Sequence, residues 1–177
     1  MASTLKVDTI QTNDGTGTIA LQNQLSGMTG ASMPTGSVLQ VVYGSYATEI
    51  ATSSSSYVDT NLNATLTPSL VTSKILVIFS LAGVAKESSN TNVKVQSVYN
   101  VGGGSYTGAT SFGTRNAYTG GSDKIGIGSV SGTLLLDLDT TSAVNVKLQF
   151  ASNGGVSAAQ VHETSATSTI TLMEIAG

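Results

Sequence analysis

Few residues of this chain are of the types that carry out nucleophilic or acid–base chemistry. His162 is the sole histidine, so a Ser-His-Asp arrangement would have to use it. No serine lies in a Gly-x-Ser-x-Gly turn, the usual setting of a hydrolase nucleophile. We therefore interpret His162 as a surface or loop residue, and we expect the protein not to be an enzyme.

Two carboxylates are spaced so that they share one face of a predicted strand. Asp137 and Asp139 alternate with leucines in the segment that begins at Leu134, and such a pair could serve a glycosidase or hold a hard cation. The other interpretation is a polar strand face that meets solvent before the Thr140-Thr141 turn. No Asp-x-Asp-x-Asp-Gly pattern supports a calcium loop. We predict no metal site and no cofactor, while a cation at these two residues stays an open alternative.

Aromatic and cationic side chains in the middle of the chain favour a binding surface. Tyr106, Arg115 and Tyr118 stand among Gly, Ser and Thr residues. Tyrosine offers a broad, stiff contact with a polar tip, and arginine offers a planar fork for carboxylates or sugar acids. We predict that these three residues lie on distal loops and bind a cell-surface glycan. In the alternative interpretation, Tyr99 and Phe112 are core residues and the rest is ordinary loop.

The N-terminal segment, residues 1–22, is predicted to be a β arm built to assemble. Two short strand-like stretches flank Asp14-Gly15, a strong turn former. A β unit of this size is marginal in water unless its apolar side is covered, most simply by copies of the same chain. The apolar residues expected to mediate attachment and trimerisation are Leu5, Val7, Ile10, Ile19 and Leu21. Residues 23–36, rich in small residues and containing Pro34, are predicted to be a linker.

Composition excludes several classes of protein. Hydrophobic residues make up 40% of the 177 residues, which argues against disorder, while only 10% are charged. The net charge of −3, with seven scattered basic residues, gives no footprint for nucleic acid. There is no cysteine, so the sequence predicts no disulfide and no thiolate metal site. The first residues lack the apolar core of a signal peptide, and no run is long enough to span a bilayer, so we expect a product of the cytoplasm without membrane insertion.

Residues 37–177 are predicted to form a jelly-roll β-sandwich. Short strand patterns alternate with turn residues, and no segment has a sustained helical period. The strand Ile75–Phe79 is apolar on both faces, so we expect both faces to be covered. The apolar C-terminal segment 168–175 belongs in the middle of a sheet. Apolar residues beyond the needs of one core would form a subunit interface, and a homotrimer suits a chain with an N-terminal arm.

Several motifs resemble those of structural and fibre-like virion proteins of marine tailed bacteriophages, including those of cyanobacteria. The N-terminal Thr4-Leu5-Lys6-Val7-Asp8-Thr9-Ile10-Gln11 is similar to the start of such proteins. The segment from Met33 to Val42 and the terminal segment from Thr169 to Ile175 are similar to a C-terminal domain of the same proteins. The resemblance implies a virion component, trimeric and attached through its N-terminus.

The sequence thus predicts a trimeric tail-fibre or appendage component of a virion. Its N-terminal arm would bind other virion proteins, and its C-terminal head would be exposed for binding to the host surface. The alternative is a trimeric head decoration protein that stabilises the capsid. Sequence alone leaves the choice between tail and head open, since trimeric jelly rolls serve both.

Overall fold

The structure is a computed structural model that describes residues 30–87, 91–117, 125–152 and 158–177. Ten β-strands and two short 3₁₀ turns, Gly30–Ser32 and Glu163–Ser165, make up its regular structure. The strands are β1 Val38–Tyr46, β2 Ile50–Thr52, β3 Val58–Leu66, β4 Lys74–Lys86, β5 Thr91–Val101, β6 Thr107–Ala117, β7 Ile125–Asp137, β8 Val144–Ser152, β9 Ala159–Val161 and β10 Ser168–Ile175. The all-β prediction is confirmed. The predicted arm and residues 23–29 of the predicted linker lie outside the described residues.

The strands form two antiparallel sheets. Sheet A has the order β1-β10-β4-β7, and it is extended by β9, which pairs with the last residues of β4, and by β2, which pairs with β9. Sheet B has the order β3-β8-β5-β6. The two central strands of each sheet are therefore far apart in sequence, so the fold depends on long-range pairing.

One hydrophobic core lies between the sheets. Successive side chains of a strand point to opposite faces, so every second residue of β3, β4 and β8 is buried. Sheet A supplies Ile75, Val77, Phe79, Leu81, Ile170 and Leu172, and sheet B supplies Leu62, Leu66, Val95, Val146, Leu148 and Phe150. Because both sheets bury apolar side chains in the same cluster, the chain has the architecture of a β-sandwich.

The C-terminal strand lies in the middle of sheet A, as predicted. β10 pairs with β1 along one edge and with β4 along the other. Backbone bonds continue past the strand, because the amide of Gly36 donates to the carbonyl of Ala176 and the amide of Ala176 donates to the carbonyl of Ser37. The chain end is thereby held against the start of β1.

The prediction that the strand Ile75–Phe79 is covered on both faces is wrong for the single chain. Ile75, Val77 and Phe79 face the core, but Ile78 on the other face is 40% exposed. The sandwich covers only the inner face of sheet A. The outer face of β4 keeps apolar side chains in contact with solvent.

The pairing of the long strands β4 and β7 is irregular near the end of β4. Their pairing shifts register twice, between Leu81 and Val84 and between Val84 and Ala85. Gly83 has φ +60°, and a Cβ at this position would lie 2.3 Å from the amide nitrogen of Glu163. Only glycine fits this close approach in the left-handed region. β7 is one continuous strand, and the irregularity in its pairing lies at Gly128, opposite Val84.

The sandwich has two distinct ends. At the entry end, Gly30 lies against Ser69 and Leu70, and the connections 67–73, 102–106 and 138–143 join the strands. At the opposite end, the carbonyl of Ser54 accepts from the amide of Ser152, and β4, β6 and β8 end there. The chain therefore enters the domain at one end, and a separate set of connections lies at the other.

Candidate functional site

Tyr106 lies at the entry end and is part of a polar network. Its hydroxyl donates to Oδ1 of Asn145 over 2.7 Å, and Nζ of Lys147 lies 3.7 Å from the centre of its ring. One face of the ring is therefore occupied by an ammonium group, which is a favourable cation–π contact. Tyr106 is partly exposed, so its other surface is open to solvent in this chain.

The network extends over the outer face of sheet B. Asp59 accepts from Lys147 over 2.7 Å and from Gln149 over 2.8 Å, and Gln149 accepts in turn from Gln96 over 2.9 Å. Burial by itself raises the pKa of Asp59, but the bonds from Lys147 and Gln149 outweigh it and hold the pKa below its ordinary value. The outer face of sheet B thus presents an ordered array of amides and one ion pair. Such groups suit polar ligands and water.

The structure does not bring the three predicted binding residues together. Arg115 pairs through its backbone with Val93 near the end of β6, whereas Tyr106 precedes the start of that strand. Because β6 contains two register shifts, its stretch from Thr107 to Arg115 runs beside six positions of β5, which correspond to about 20 Å. Tyr118 lies outside the described residues, as does the side chain of Arg115. Tyr106 lies in the connection 102–106 at the entry end, and a binding role for any of the three residues stays a prediction.

His162 lies in the turn between β9 and β10, but it is fully buried rather than at the surface. Its Nε2–H donates to the carbonyl of Thr60 over 2.9 Å, and its Nδ1 accepts from the hydroxyl of Ser168 over 2.8 Å. The Ser168 hydroxyl also accepts from the amide of Ala82. Burial lowers the pKa of His162, and the bond to the Thr60 carbonyl offsets this only in part.

This Ser–His pair is a tie between the two sheets. Thr60 belongs to β3 of sheet B, and Ser168 belongs to β10 of sheet A. Both nitrogens of His162 are engaged, and neither His162 nor Ser168 is exposed to solvent. A nucleophilic serine needs a base whose second nitrogen is oriented by a carboxylate and a substrate that can reach its hydroxyl. The geometry of the pair suits a structural role.

Glu174 is a second buried polar anchor, and the sequence pattern did not single it out. Its Oε1 accepts from the amide and the hydroxyl of Ser69, each over 2.7 Å, and from the amide of Leu70 over 3.4 Å. Its Oε2 accepts from Nε2 of Gln40 over 2.6 Å. Burial raises the pKa of Glu174, but the bonds led by that from Gln40 outweigh it, so the net pKa is lowered. The terminal strand thereby fixes the connection at the entry end.

Asp137 and Asp139 do not share a strand face. Asp137 ends β7 and forms an ion pair with Lys74, with 2.8 Å between Nζ and Oδ2. Asp139 follows the strand in the left-handed region, with φ +45°. Within the described ranges, no group of three His, Cys, Asp or Glu side chains is placed to hold a metal ion.

The outer face of sheet A carries the largest set of exposed apolar side chains on neighbouring strands. Its residues are paired in rows that cross β1, β10, β4 and β7 in that order. From the entry end, the rows are Val38, Ile175, Lys74 and Asp137; Val41, Met173, Leu76 and Leu135; Tyr43, Thr171, Ile78 and Thr133; and Ser45, Thr169, Ser80 and Ser131. Sequence reasoning named assembly residues only in the arm and expected a further subunit interface from surplus apolar residues, without locating it on this face. The apolar residues on both faces of Ile75–Phe79 were the signal for it.

The five predicted assembly residues of the arm, Leu5, Val7, Ile10, Ile19 and Leu21, all lie outside the described residues. The structure shows where Gly30, the first described residue, lies in the fold. A Cβ on Gly30 would lie 3.0 Å from the hydroxyl of Ser69 and 3.3 Å from the side chain of Leu39. Gly30 is therefore next to the start of β1 and to the connection between β3 and β4.

Comparison with known proteins yields little. No protein-family model and no curated protein matches the chain. The fold is similar to part of a chain in a solved structure titled "Structure of infectious bursal disease virus Gx strain", with 12% identity and a TM-score of 0.31. The match covers 79% of this chain and 37% of that chain, so this chain spans a little more than a third of its length. A TM-score this low supports no functional conclusion. Among the described residues, no helix has the length and apolarity needed to cross a membrane.

Proposed function

We propose that this protein is a non-enzymatic structural component of a virion, a homotrimeric appendage or tail-fibre protein of a tailed bacteriophage. Its N-terminal arm attaches it to other virion proteins, and its β-sandwich head faces the host surface. The class of protein that we propose comes from the motifs that resemble marine phage proteins. Its physical support comes from the strand order, the two ends and the exposed faces of the described domain.

The strand order supports a jelly roll. If β1 and β2 are counted as one strand, and β9 and β10 as another, eight strands remain. The first then pairs with the last, the second with the seventh, the third with the sixth and the fourth with the fifth. These nested pairs, divided between two four-stranded sheets, are what two Greek keys rolled into a sandwich produce.

The separation of the two ends is the observation that carries the proposal. The chain enters beside Ser69 and Leu70, whereas the last residues of β6 and β8 lie at the opposite end. A head that is attached by an arm at one end leaves its opposite end free to meet another surface. Arg115 is near that free end, so it is the predicted binding residue whose position fits host recognition best.

The exposed apolar side chains of sheet A support a homo-oligomer. Val41, Tyr43 and Leu135 are more than half exposed and lie on one face of one sheet, and contiguous apolar surface of this kind marks protein–protein contacts. Closed cyclic symmetry is the common way for identical chains to cover such surfaces, and the resemblance to phage proteins implies three copies.

The experiment that tests this function is the location and copy number of the chain on intact particles. Antibody labelling with electron microscopy and quantitative mass spectrometry would be applied to purified virions. Tens of copies at the tail or at a vertex would support an appendage. Hundreds of copies spread over the shell would instead support the alternative, a trimeric decoration protein of the head. Absence from the particles would refute both.

A further inference from the structure

The outer face of sheet A has the layout of a protein–protein interface. Its central row, Val41, Met173, Leu76 and Leu135, is apolar across all four strands. The next row mixes Tyr43 and Ile78 with two threonines, and the row farthest from the entry end consists of serine and threonine hydroxyls. The row nearest the entry end finishes in an ion pair. An apolar centre with a polar border is the usual anatomy of interfaces between subunits.

Because the charges on this face balance, the face does not favour a strongly charged partner. Lys74 and Asp137 are the charged residues of the four rows, and they pair with each other over 2.8 Å. The rows therefore carry no unbalanced charge to attract a nucleic acid, an anionic membrane or an acidic peptide. A second copy of the same face meets it without repulsion, because each copy brings a neutral surface.

The size of the face limits the contact that it can form alone. Four strands spaced by about 4.8 Å and four rows spaced by about 6.7 Å give a projected area of about 500 Å², and side-chain relief makes the accessible area larger than this projection. A standard interface buries about 800 Å² per partner, which is of the same order as the whole face. In a closed ring of three the face is divided between two neighbours, so each contact uses about half of it.

We propose that the outer face of sheet A is buried against a second copy of this chain in the functional oligomer. This proposal rests on the homotrimer proposed above and names the surface that forms it. In a closed ring of three, each subunit uses two different patches, so the half made by β1 and β10 meets the half made by β4 and β7 of the next subunit.

The test uses the full chain and three lysine substitutions. Val41→Lys and Leu135→Lys place a charge at opposite edges of the central row, where each native side chain is 56% exposed. Val71→Lys is the matched control, since Val71 is 52% exposed but lies in the connection between β3 and β4. Because all three side chains are exposed in the single chain, the substitutions leave its core intact.

Light scattering over a dilution series measures the mass of each protein, and circular dichroism confirms the fold. The wild-type chain is expected at three times 17.8 kDa. Val41→Lys and Leu135→Lys are expected to raise the concentration at which the trimer dissociates by about a hundredfold or more, because a charge is buried where an apolar contact was. Val71→Lys is expected to behave like the wild type.

Two contrary results have different meanings. If the wild-type chain is a trimer and both face variants dissociate at the same concentration as the control, the assignment of this face is overturned. The trimer of the proposed function then stands on the arm alone. If the wild-type chain is a monomer at all concentrations, the proposed trimer fails, and the proposed contact fails with it.

Discussion

Replacing Glu174 by alanine removes a buried carboxylate that accepts four hydrogen bonds. Three come from Ser69 and Leu70 in the connection at the entry end, and the fourth comes from Gln40 of β1. A hydrogen bond to a charged group contributes about 1.5–3 kcal/mol, but water can reach part of the vacated site from the side of Ser69, which is exposed. We therefore expect Glu174→Ala to lower the free energy of unfolding by about 2–3 kcal/mol.

Urea unfolding at one fixed protein concentration measures this loss. With a slope of about 2 kcal/mol per molar urea, the midpoint should fall by about 1 M. Glu87→Ala is the control, because Glu87 is exposed at the end of β4, and its replacement should change the free energy of unfolding by less than about 0.5 kcal/mol.

The same variant tests the protonation of Glu174. Because the pKa of the folded carboxyl is below the ordinary value of 4.5, its contribution to stability is present above that pH and declines as the pH falls through the folded pKa. The free energy of unfolding of Glu174→Ala should therefore lack the decline with falling pH that Glu174 contributes. The reasoning is refuted if Glu174→Ala shifts the urea midpoint no further than Glu87→Ala, or if its acid sensitivity equals that of the wild type.

Two other substitutions test the hydrogen bonds of buried His162 and the close approach of Gly83 to Glu163. Burial lowers the pKa of His162, so as the pH falls below about 6.5 the unfolded chain takes up a proton that the folded chain does not, and the free energy of unfolding declines. His162→Asn should remove this slope between pH 8 and 5 in urea titrations, and an unchanged slope would contradict the neutral buried state. Gly83→Ala and Gly36→Ala both place alanine at positive φ, but only Gly83 would bring its Cβ against the backbone of Glu163. Gly83→Ala should therefore cost at least about 2 kcal/mol more in thermal or urea unfolding, and equal costs would exclude the steric account.

The sequence predicts the class of fold because that information is local. Alternating apolar residues and turn formers mark the strands, and the apolar run from Ser168 to Ile175 indicates a central strand. The same pattern at Ile75–Phe79 indicated cover on both faces. It could not indicate what, if anything, covers the outer face, because periodicity records apolar faces without naming what buries them.

The polar sites were harder to predict because they depend on contacts between distant residues. His162 bonds to Thr60, which is 102 positions away, and Glu174 bonds to Ser69, which is 105 positions away. A lone histidine and an ordinary strand glutamate carry no local sign of such partners. Tyr106 and Arg115 are close in sequence, yet β6 separates them by its own length. Two residues that are close in sequence lie close in space when one loop holds both. They do not when a strand runs between them.

Hydroxyl-radical footprinting of the full chain tests the central claim, burial of the outer face of sheet A by another copy, most directly. Tyr43 and Met173 are oxidisable residues on that face. Tyr106, in the connection before β6, packs its ring against Lys147 of sheet B and is the internal reference. Tyr43 is 62% exposed in the single chain. We predict that Tyr43 and Met173 are modified severalfold more slowly in the wild-type assembly than in Leu135→Lys, with Tyr106 unchanged. Equal modification of Tyr43 in both proteins would contradict the account.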